Sequence, residues 1–236
     1  MEIKDASKRL KKFWGKVDQK HICEIEKHVT GKDVLDMGAG YGTTTTYLGN
    51  KGFNVIAIDL DSDSIEIAKK LNPSINYKKL NAEQLPFEDN SFDTLILRDA
   101  LHHFVGEADF DKVKNEMCRV LRNDGKIIFF DPNVNFLIKT LRKISKHEDE
   151  ECTYEDAIDI MKGLNLKIIH KSFNTIYSLP LSGGYVGINF IPQLNLLQNF
   201  ILLTEKIFEK LIQNSIGRRI AWRYVIVGEK PSYNKI

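Results

Sequence analysis

The sequence predicts an α/β domain in which helices flank a mostly parallel β-sheet. Short apolar runs alternate with helix-length segments along most of the 236 residues, which is typical of a parallel sheet wrapped by helices. Four of these runs, VLDM, VIAI, LILR and IIFF, are almost continuously apolar, as expected for strands that are buried on both faces. No internal repeat or low-complexity linker interrupts the chain, so we expect a single domain.

The order of the elements follows from apolar periodicity and from turn residues. Residues 5–29 are charged and favour a helix. The predicted strands lie at 33–37, 54–58, 75–79, 94–98, 126–131, 166–173 and 222–229. The predicted helices lie at 43–50, 62–71, 110–121 and 154–164, the last with Thr153 as its N-cap. Because residues 174–221 are too long for a plain loop, we predict a helical insertion before the last strand.

The composition argues against several classes of protein. A net charge of +2, from 34 basic and 32 acidic residues, provides no field that would attract nucleic acid, so no nucleic-acid partner is expected. The three cysteines are far apart and odd in number, which indicates reduced thiols and no metal site. The N-terminus lacks the apolar core of a signal peptide, and polar residues interrupt the most apolar stretch, 186–203. We therefore expect a soluble, cytoplasmic protein with no transmembrane segment.

A glycine-rich sequence, VLDMGAGYG at 34–42, follows the first predicted strand. Gly38, Gly40 and Gly42 permit positive φ and close approach of a ligand, and the next helix offers free N–H groups. Asp59 ends the second predicted strand, where a carboxylate can accept hydrogen bonds from both ribose hydroxyls. A tight strand-to-helix turn without a ligand would use the same glycines. Helix capping is the alternative role of Asp59, although its neighbours could supply that cap.

Five motifs follow one another in the chain: VLDMGAGYG, VIAIDLD, NAEQLPF (81–87), FDTLILRDALHHF (92–104) and RVLRNDGKIIFFDP (119–132). This succession resembles the class I S-adenosylmethionine-dependent methyltransferases, especially the small-molecule branch that includes quinone-biosynthesis-type enzymes. The resemblance is close over about residues 30–132. It implies a Rossmann-like, seven-stranded, mostly parallel sheet with one antiparallel strand near its end. It also implies S-adenosylmethionine as the methyl donor and S-adenosylhomocysteine as the product.

The resemblance assigns donor-binding roles to individual residues. The set comprises Asp36, Gly38, Gly40 and Gly42 around the methionine end of the donor, with Asp36 near its ammonium group; Asp59 at the ribose; Leu60 on the adenine face; Asn81 and Ala82 at the adenine edge; and Arg98 at the end of the fourth strand, beside the amino-acid part. Family members often have Asp at position 81. Asn81 can still accept a hydrogen bond from the adenine amine through its side-chain oxygen.

Methyl transfer from a sulfonium is a direct displacement, so the protein needs mainly to align the reactants and exclude water. A general base is required only for an acceptor that arrives protonated. The candidates are His102, His103 and Asp131, which follow the fourth and fifth predicted strands, and His103 is the preferred histidine. Capping or packing of the following helix is the alternative role of the histidines. For Asp131 the alternative is a turn before Pro132.

Two further segments lie in the C-terminal part. Residues 136–146, FLIKTLRKISK, place four cations at helical spacing, suited to an anionic substrate, a membrane surface or an ordinary solvated face. In 195–212 an apolar stripe from Leu196 to Leu211 opposes a charged side. We predict that this stripe belongs to a cover over the acceptor, whereas plain core or a homodimer interface would use the same residues.

We interpret the chain as one methyltransferase domain: an N-terminal helical segment (1–30), a donor-binding half (31–135) and a C-terminal half (136–236) with the insertion at 174–221 as acceptor lid. The expected pocket would be lined by Tyr177, Tyr185 and Phe190, beside His103 and Asp131.

The expected reaction is methyl transfer to a small, apolar or amphipathic acceptor. An NAD(P)-dependent oxidoreductase is the first alternative, but its G-x-G-x-x-G fingerprint would need a glycine where Thr43 stands. A protein that binds the donor without catalysis is the second alternative, because it would keep the same motifs. A nucleic-acid methyltransferase is disfavoured because LRDA stands where such enzymes have an N-P-P-type motif.

Overall fold

The computed structural model of the protein describes residues 12–107, 109–135, 139, 152–182, 190–213 and 215–232. The strands are β1 (Asp33–Met37), β2 (Asn54–Asp59), β3 (Asn76–Lys79), β4 (Phe92–Arg98), β5 (Leu121–Pro132), β6 (Lys167–Asn174) and β7 (Arg223–Glu229). The helices are α1 (Phe13–Glu26), α2 (Thr43–Asn50), α3 (Ser62–Leu71), α4 (Leu101–Glu107), α5 (Phe110–Val120), α6 (Tyr154–Gly163), α7 (Ser178–Leu181), α8 (Asn195–Leu211) and α9 (Ser215–Ile220).

The seven strands form one sheet in the order β3-β2-β1-β4-β5-β7-β6. The first five strands in this order pair in parallel. Next to them, β7 runs antiparallel to β5, because Asn133 N–H bonds to Trp222 O while Lys230 N–H bonds to Gly125 O. The predicted mostly parallel sheet with an antiparallel strand near its end is confirmed.

Local sequence signals account for the starts of α3 and α6. Thr153 caps α6 through a capping box, because its hydroxyl accepts from the Asp156 N–H and Asp156 accepts from the Thr153 N–H. Asp61 caps α3 by accepting from the N–H groups of Asp63 and Ser64. The short helices α4, α7 and α9 were not predicted, since four to seven residues are too few to establish an apolar period.

The chain divides into two compact units. The sheet unit comprises Ile25–Pro132, Asp149–Lys171 and Val225–Ile236. A core of nine buried aliphatic and aromatic residues holds it together: Ile25, Val34, Leu48, Val55, Ile96, Ile128, Phe130, Val225 and Val227. The helical unit comprises Met1–Glu24, Asn133–Glu148 and Ser172–Tyr224. Its own core joins Phe13 and Val17 of α1 to Leu179 and Trp222.

In the helical unit, α8 lies within the 195–212 segment of the predicted insertion. The side of α8 that packs inward is the one opposite the apolar stripe. Glu205 and Glu209 are buried, whereas the apolar stripe from Leu196 to Leu211 is exposed. The physical reason is the ammonium group of Lys20, which lies 2.5 Å from Glu205 Oε2 and 2.7 Å from Glu209 Oε1 and so offsets part of the charge of the two buried acids.

Several predicted features lie outside the described residues. They include Tyr185 and all of the 136–146 segment except Lys139. Tyr177 is described, and its hydroxyl donates to Thr204 Oγ1 of α8 at 2.7 Å. The acceptor pocket therefore stays a prediction. Among the helices of the described ranges, none has the length and apolarity needed to cross a bilayer.

Candidate functional site

The strand order places the candidate residues at one edge of the sheet unit. β1 pairs with β2 on one side and with β4 on the other, so the chain path reverses direction between β1 and β4. Ligands of open α/β sheets bind at this topological switch, beyond the carboxyl ends of the strands. The carboxyl ends of β1 to β5 and the segments that follow them contain all the residues assigned to the donor and to the base.

The glycine loop, residues 38–42, depends on backbone conformations that favour glycine. Gly38, Gly40 and Gly42 have φ values of 73°, 52° and 71°. A Cβ at Gly38 would lie 2.6 Å from Ala100 Cβ, and one at Gly42 would lie 2.5 Å from the Tyr77 ring. A Cβ at Gly40 would meet nothing within 4 Å. Two glycines are therefore required by packing, while Gly40 leaves open space above the loop.

Asp59 holds this loop to the end of β2. Its Oδ2 accepts from the Gly40 N–H at 2.8 Å, and its Oδ1 accepts from the Asp61 N–H at 2.9 Å. The capping role that was the alternative for Asp59 is performed by Asp61. Each carboxylate oxygen retains a second lone pair, so these bonds leave Asp59 able to accept from ribose hydroxyls as well.

Asp36 is a buried carboxylate at the end of β1. The Thr45 hydroxyl donates to its Oδ2 at 2.5 Å. Burial raises the pKa of Asp36 to about 6, against the opposing effects of the Thr45 hydrogen bond and the Arg98 charge. Arg98 itself donates to the hydroxyls of Thr43 and Thr44, at 3.3 and 3.0 Å. An ammonium group near Asp36 would favour its ionised form.

The residues assigned to adenine differ in exposure. Leu60 has 56% of its surface exposed, although it is apolar, which suits a side chain that packs on a ligand ring. Asn81 is exposed, and its Oδ1 accepts from the Glu83 N–H at 2.9 Å. Ala82 is buried with 2% exposed, so only its backbone could recognise a ligand.

Asp131 pairs with His102, which was not the preferred histidine. His102 Nδ1 lies 2.9 Å from Asp131 Oδ2. Asp131 also accepts from the N–H groups of Ala100 and His102, at 3.0 and 3.2 Å, and so caps α4. His103 is exposed, with its ring centroid 4.2 Å from that of His102. The buried pair organises the end of β4, while the exposed ring can reach a solute.

Two contributors to the site were missed by the sequence reasoning. Thr45 is the hydrogen-bond donor to Asp36, and Tyr77 covers Gly42 and bonds to Thr46 Oγ1 at 3.1 Å. The run TTTT at 43–46, directly after the loop, is the signal that could have revealed the first. Hydroxyls at a helix start that lie beside a strand-end carboxylate can bond to it.

The residues present fit an adenosyl group with an amino-acid tail. The open space at Gly40, the exposed face of Leu60 and the carboxylate of Asp59 adjoin one another in sequence or by hydrogen bonding. Asp36 supplies a carboxylate for an ammonium, next to the same loop. No tight pyrophosphate turn is formed at Thr43, which opens α2 in place of the third glycine of a dinucleotide fingerprint.

Comparison with known sequences gives a domain match. Residues 35–129 match the family model described as a methyltransferase domain. The uncharacterized methyltransferase YcgJ of Bacillus subtilis is 35% identical over 103 residues, which are 42% of this chain and 40% of that protein. The demethylmenaquinone methyltransferase of Renibacterium salmoninarum is 35% identical over 100 residues, 42% of this chain and 41% of that protein. The chain thus spans about two fifths of the length of these curated relatives.

Solved structures match nearly the whole fold. A SAM dependent methyltransferase from Archaeoglobus fulgidus superposes with a TM-score of 0.65 at 16% identity, covering 91% of this chain and 94% of that one. The [4+2]-cyclase SpnF superposes with a TM-score of 0.64 at 14% identity, covering 92% and 82%. At such identities the likeness establishes the fold, and this fold also serves a protein named as a cyclase.

Proposed function

We propose that this chain, whose residues 35–129 match a methyltransferase-domain model, is a class I methyltransferase that transfers a methyl group from S-adenosylmethionine to a small, apolar or amphipathic acceptor. The observation that carries the proposal is the glycine loop, open at Gly40 and tied to the Asp59 carboxylate. The family match favours this cofactor over NAD(P).

The donor would be held by the residues at the carboxyl ends of β1 to β4. Asp59 would accept from the ribose hydroxyls, Leu60 would pack on adenine, and Asn81 with the Ala82 N–H would contact its edge. Asp36 would pair with the ammonium group, and Arg98 would fix the start of α2 through its threonine hydroxyls. When bound, S-adenosylmethionine supplies an electrophilic methyl group with a neutral leaving sulfur.

The chain's own residues would then orient the acceptor and exclude water. If the acceptor carries a proton to be lost, His103 is the residue we expect to take it, because its ring is exposed at the end of β4. Asp131 and His102 would position that segment through the cap on α4. We expect His103→Ala to lower turnover on the order of 10²-fold while the affinity for the donor is kept.

Calorimetry with S-adenosylhomocysteine and NAD tests the donor assignment. We expect S-adenosylhomocysteine to bind and NAD not to bind. Asp59→Ala should weaken binding by about 2–4 kcal/mol through the loss of two charge-assisted hydrogen bonds. Asp61→Ala is the matched control, because it removes the cap of α3 and should leave affinity nearly unchanged. Equal affinities of the two variants would contradict the role of Asp59.

A further inference from the structure

Exposed large hydrophobic side chains are concentrated in one short part of the chain. Fourteen such residues are exposed in the described part of the protein, and ten of them lie between residues 190 and 216. Soluble monomers usually scatter exposed apolar residues singly, and contiguous patches mark interaction surfaces. The concentration of exposed apolar side chains in this segment therefore indicates an interaction surface on the helical unit.

The helix α8 presents these residues on one face. Successive residues of a helix are offset by roughly 100°, so positions three and four apart share a side. We call the exposed row of α8 the apolar face; its members are Leu196, Phe200, Leu203, Ile207 and Leu211. The two most exposed are Leu196 at 87% and Leu211 at 71%. The opposite side faces inward; it contains the buried polar residues Gln198, Glu205 and Glu209, beside Ile201 and Leu202, which pack on the core of the helical unit.

The inward packing of α8 is specified by hydrogen bonds. Glu205 Oε1 accepts from three consecutive backbone N–H groups, those of Ile176, Tyr177 and Ser178, each at 2.8 Å. Glu209 accepts from the Thr175 N–H, and both acids bond to Lys20. Turning the apolar face inward would break this network and leave buried donors without acceptors. These hydrogen bonds therefore determine that the apolar face of α8 points outward.

Within the described part of residues 190–220, the exposed charges are all positive. Residues 190–220 contain two acids and four cations in sequence. Both acids are buried, while the cations Lys206, Lys210, Arg218 and Arg219 are exposed. An amphipathic helix with cations along an apolar row is suited to lie in the interface of an anionic bilayer.

A basic groove extends the positive flank toward α1. Lys16 Nζ bonds to Asn195 Oδ1 and Asn199 Oδ1 of α8, at 3.1 and 2.9 Å, and not to a carboxylate. Lys12, Lys16 and Lys20 line the groove, whose volume is about 620 Å³, together with side-chain amides. No acid is among the lining residues in the described part of the chain. Lys12 and Lys16 thus offer positive charge to phosphate oxygens, whereas the charge of Lys20 is taken up by Glu205 and Glu209.

We propose that the apolar face of α8 docks on the surface of an anionic lipid bilayer, with the lysine flank over the headgroups. The helix has 17 residues, so it can lie along the interface over roughly 25 Å. A second copy of the chain fits less well, because two such faces would bring lysines together without exposed acids between them. This proposal stands on the helical unit alone and does not depend on methyl transfer in the sheet unit.

Vesicle flotation tests the proposal with the whole chain. We expect binding to vesicles of phosphatidylglycerol and phosphatidylcholine, weaker binding at high salt, and little binding to pure phosphatidylcholine. The double variant Leu203→Gln with Ile207→Gln should lower the partition coefficient at least tenfold. Lys206→Gln with Lys210→Gln should lower it on the order of tenfold, and only on anionic vesicles. Leu71→Gln with Ile169→Gln is the matched control, since both are exposed apolar residues of the sheet unit.

The outcomes separate the alternatives. Near-UV circular dichroism and the unfolding midpoint confirm that each variant is folded. Loss of binding in both α8 variants, with the control unchanged, supports docking. Failure of the folded wild-type chain to float with anionic vesicles overturns it, as does unchanged binding of the Leu203→Gln, Ile207→Gln variant. A concentration-dependent dimer in sedimentation that this variant abolishes, without flotation of the wild type, assigns the face to a second copy instead.

Discussion

The sheet unit and the helical unit use carboxylates in different ways. In the sheet unit, Asp36, Asp59 and Asp131 accept hydrogen bonds from residues that follow the strand ends, and each fixes a turn next to the candidate site. In the helical unit, Glu205 and Glu209 form buried ion pairs with Lys20. These ion pairs hold α8 with its apolar face outward. In the first unit the polar groups fix turns beside the candidate site, and in the second they fix the orientation of a helix.

The difference shows when hydrophobic periodicity determines packing and when it does not. An amphipathic helix normally buries its apolar side, because transfer of apolar area from water is favourable. On α8 that preference is overcome by ion pairs and backbone hydrogen bonds to Glu205, which satisfy several donors at once. The hydrogen bonds and ion pair of one buried acid can thus outweigh the free energy of burying the apolar face of a helix.

The largest expected effect is at Glu205. Glu205→Leu should destabilise the protein by about 3–5 kcal/mol, because it leaves three backbone N–H groups and part of the Lys20 charge without an acceptor. Urea unfolding measures the change. Glu205→Gln is the control, since its amide oxygen can still accept from the backbone, and it should cost less. Equal losses in the two variants would mean that the charge of Glu205, and not its hydrogen bonds, orients α8.

The sheet unit was predictable because its signals are local. The glycine loop, the acid after β2 and the apolar runs all lie within short stretches, so the sequence predicted β1 and α2 with their observed limits. The orientation of α8 was not predictable, because Lys20 is 185 residues from Glu205. Likewise, Asp131 and His102, which pair with each other, are 29 residues apart in sequence. Apolar periodicity depends on residues that are close in sequence, so it gives no information on such distant partners.

The second prediction concerns the pH dependence caused by Asp36. Its pKa in the folded chain is about 6, above the ordinary value of 3.8, so folding favours the protonated form. The resulting stability is fully present below about pH 4 and is lost as pH rises through 6, about 3 kcal/mol in total. We expect Asp36→Asn to abolish this part of the pH profile of unfolding and to leave the ligand-free protein more stable near neutral pH.

Donor binding should respond to Asp36 in the opposite sense. If the ionised carboxylate pairs with the donor ammonium, affinity for S-adenosylhomocysteine should rise with pH through 6 and should fall in the Asn variant. Calorimetry at several pH values measures this. An affinity that is unchanged by Asp36→Asn would remove Asp36 from the donor site and leave it a structural acid like Glu205.

The third prediction separates packing from ligand approach within the glycine loop. Gly38→Ala should cost about 2–3 kcal/mol of stability, because its Cβ would overlap Ala100 and φ is 73°. Gly40→Ala meets nothing within 4 Å and should cost about 1 kcal/mol through its positive φ alone. Its larger effect should be on affinity, since the methyl group enters the open space assigned to the donor.

Gly52 provides the control for that comparison. It also has a positive φ, 84°, and a Cβ there would meet nothing within 4 Å, but it lies in the turn before β2. Gly52→Ala should match Gly40→Ala in stability and leave the affinity for S-adenosylhomocysteine unchanged. If Gly40→Ala also leaves affinity unchanged, the open face of the loop is not where the donor binds.

The smallest expected effect is on the exposed row of α8. Leu196→Gln should change the free energy of unfolding by less than about 0.5 kcal/mol, because the side chain is 87% exposed and little apolar area is lost from the fold. Gln198→Leu, two residues further along, should destabilise the protein by about 1 kcal/mol. It removes a buried amide whose nitrogen donates to Pro192 O at 3.1 Å. An ordinary amphipathic helix would show the reverse ranking, with loss at the leucine and none at the glutamine. Unfolding curves of these two variants therefore test, without any ligand or lipid, whether α8 packs with its polar side inward.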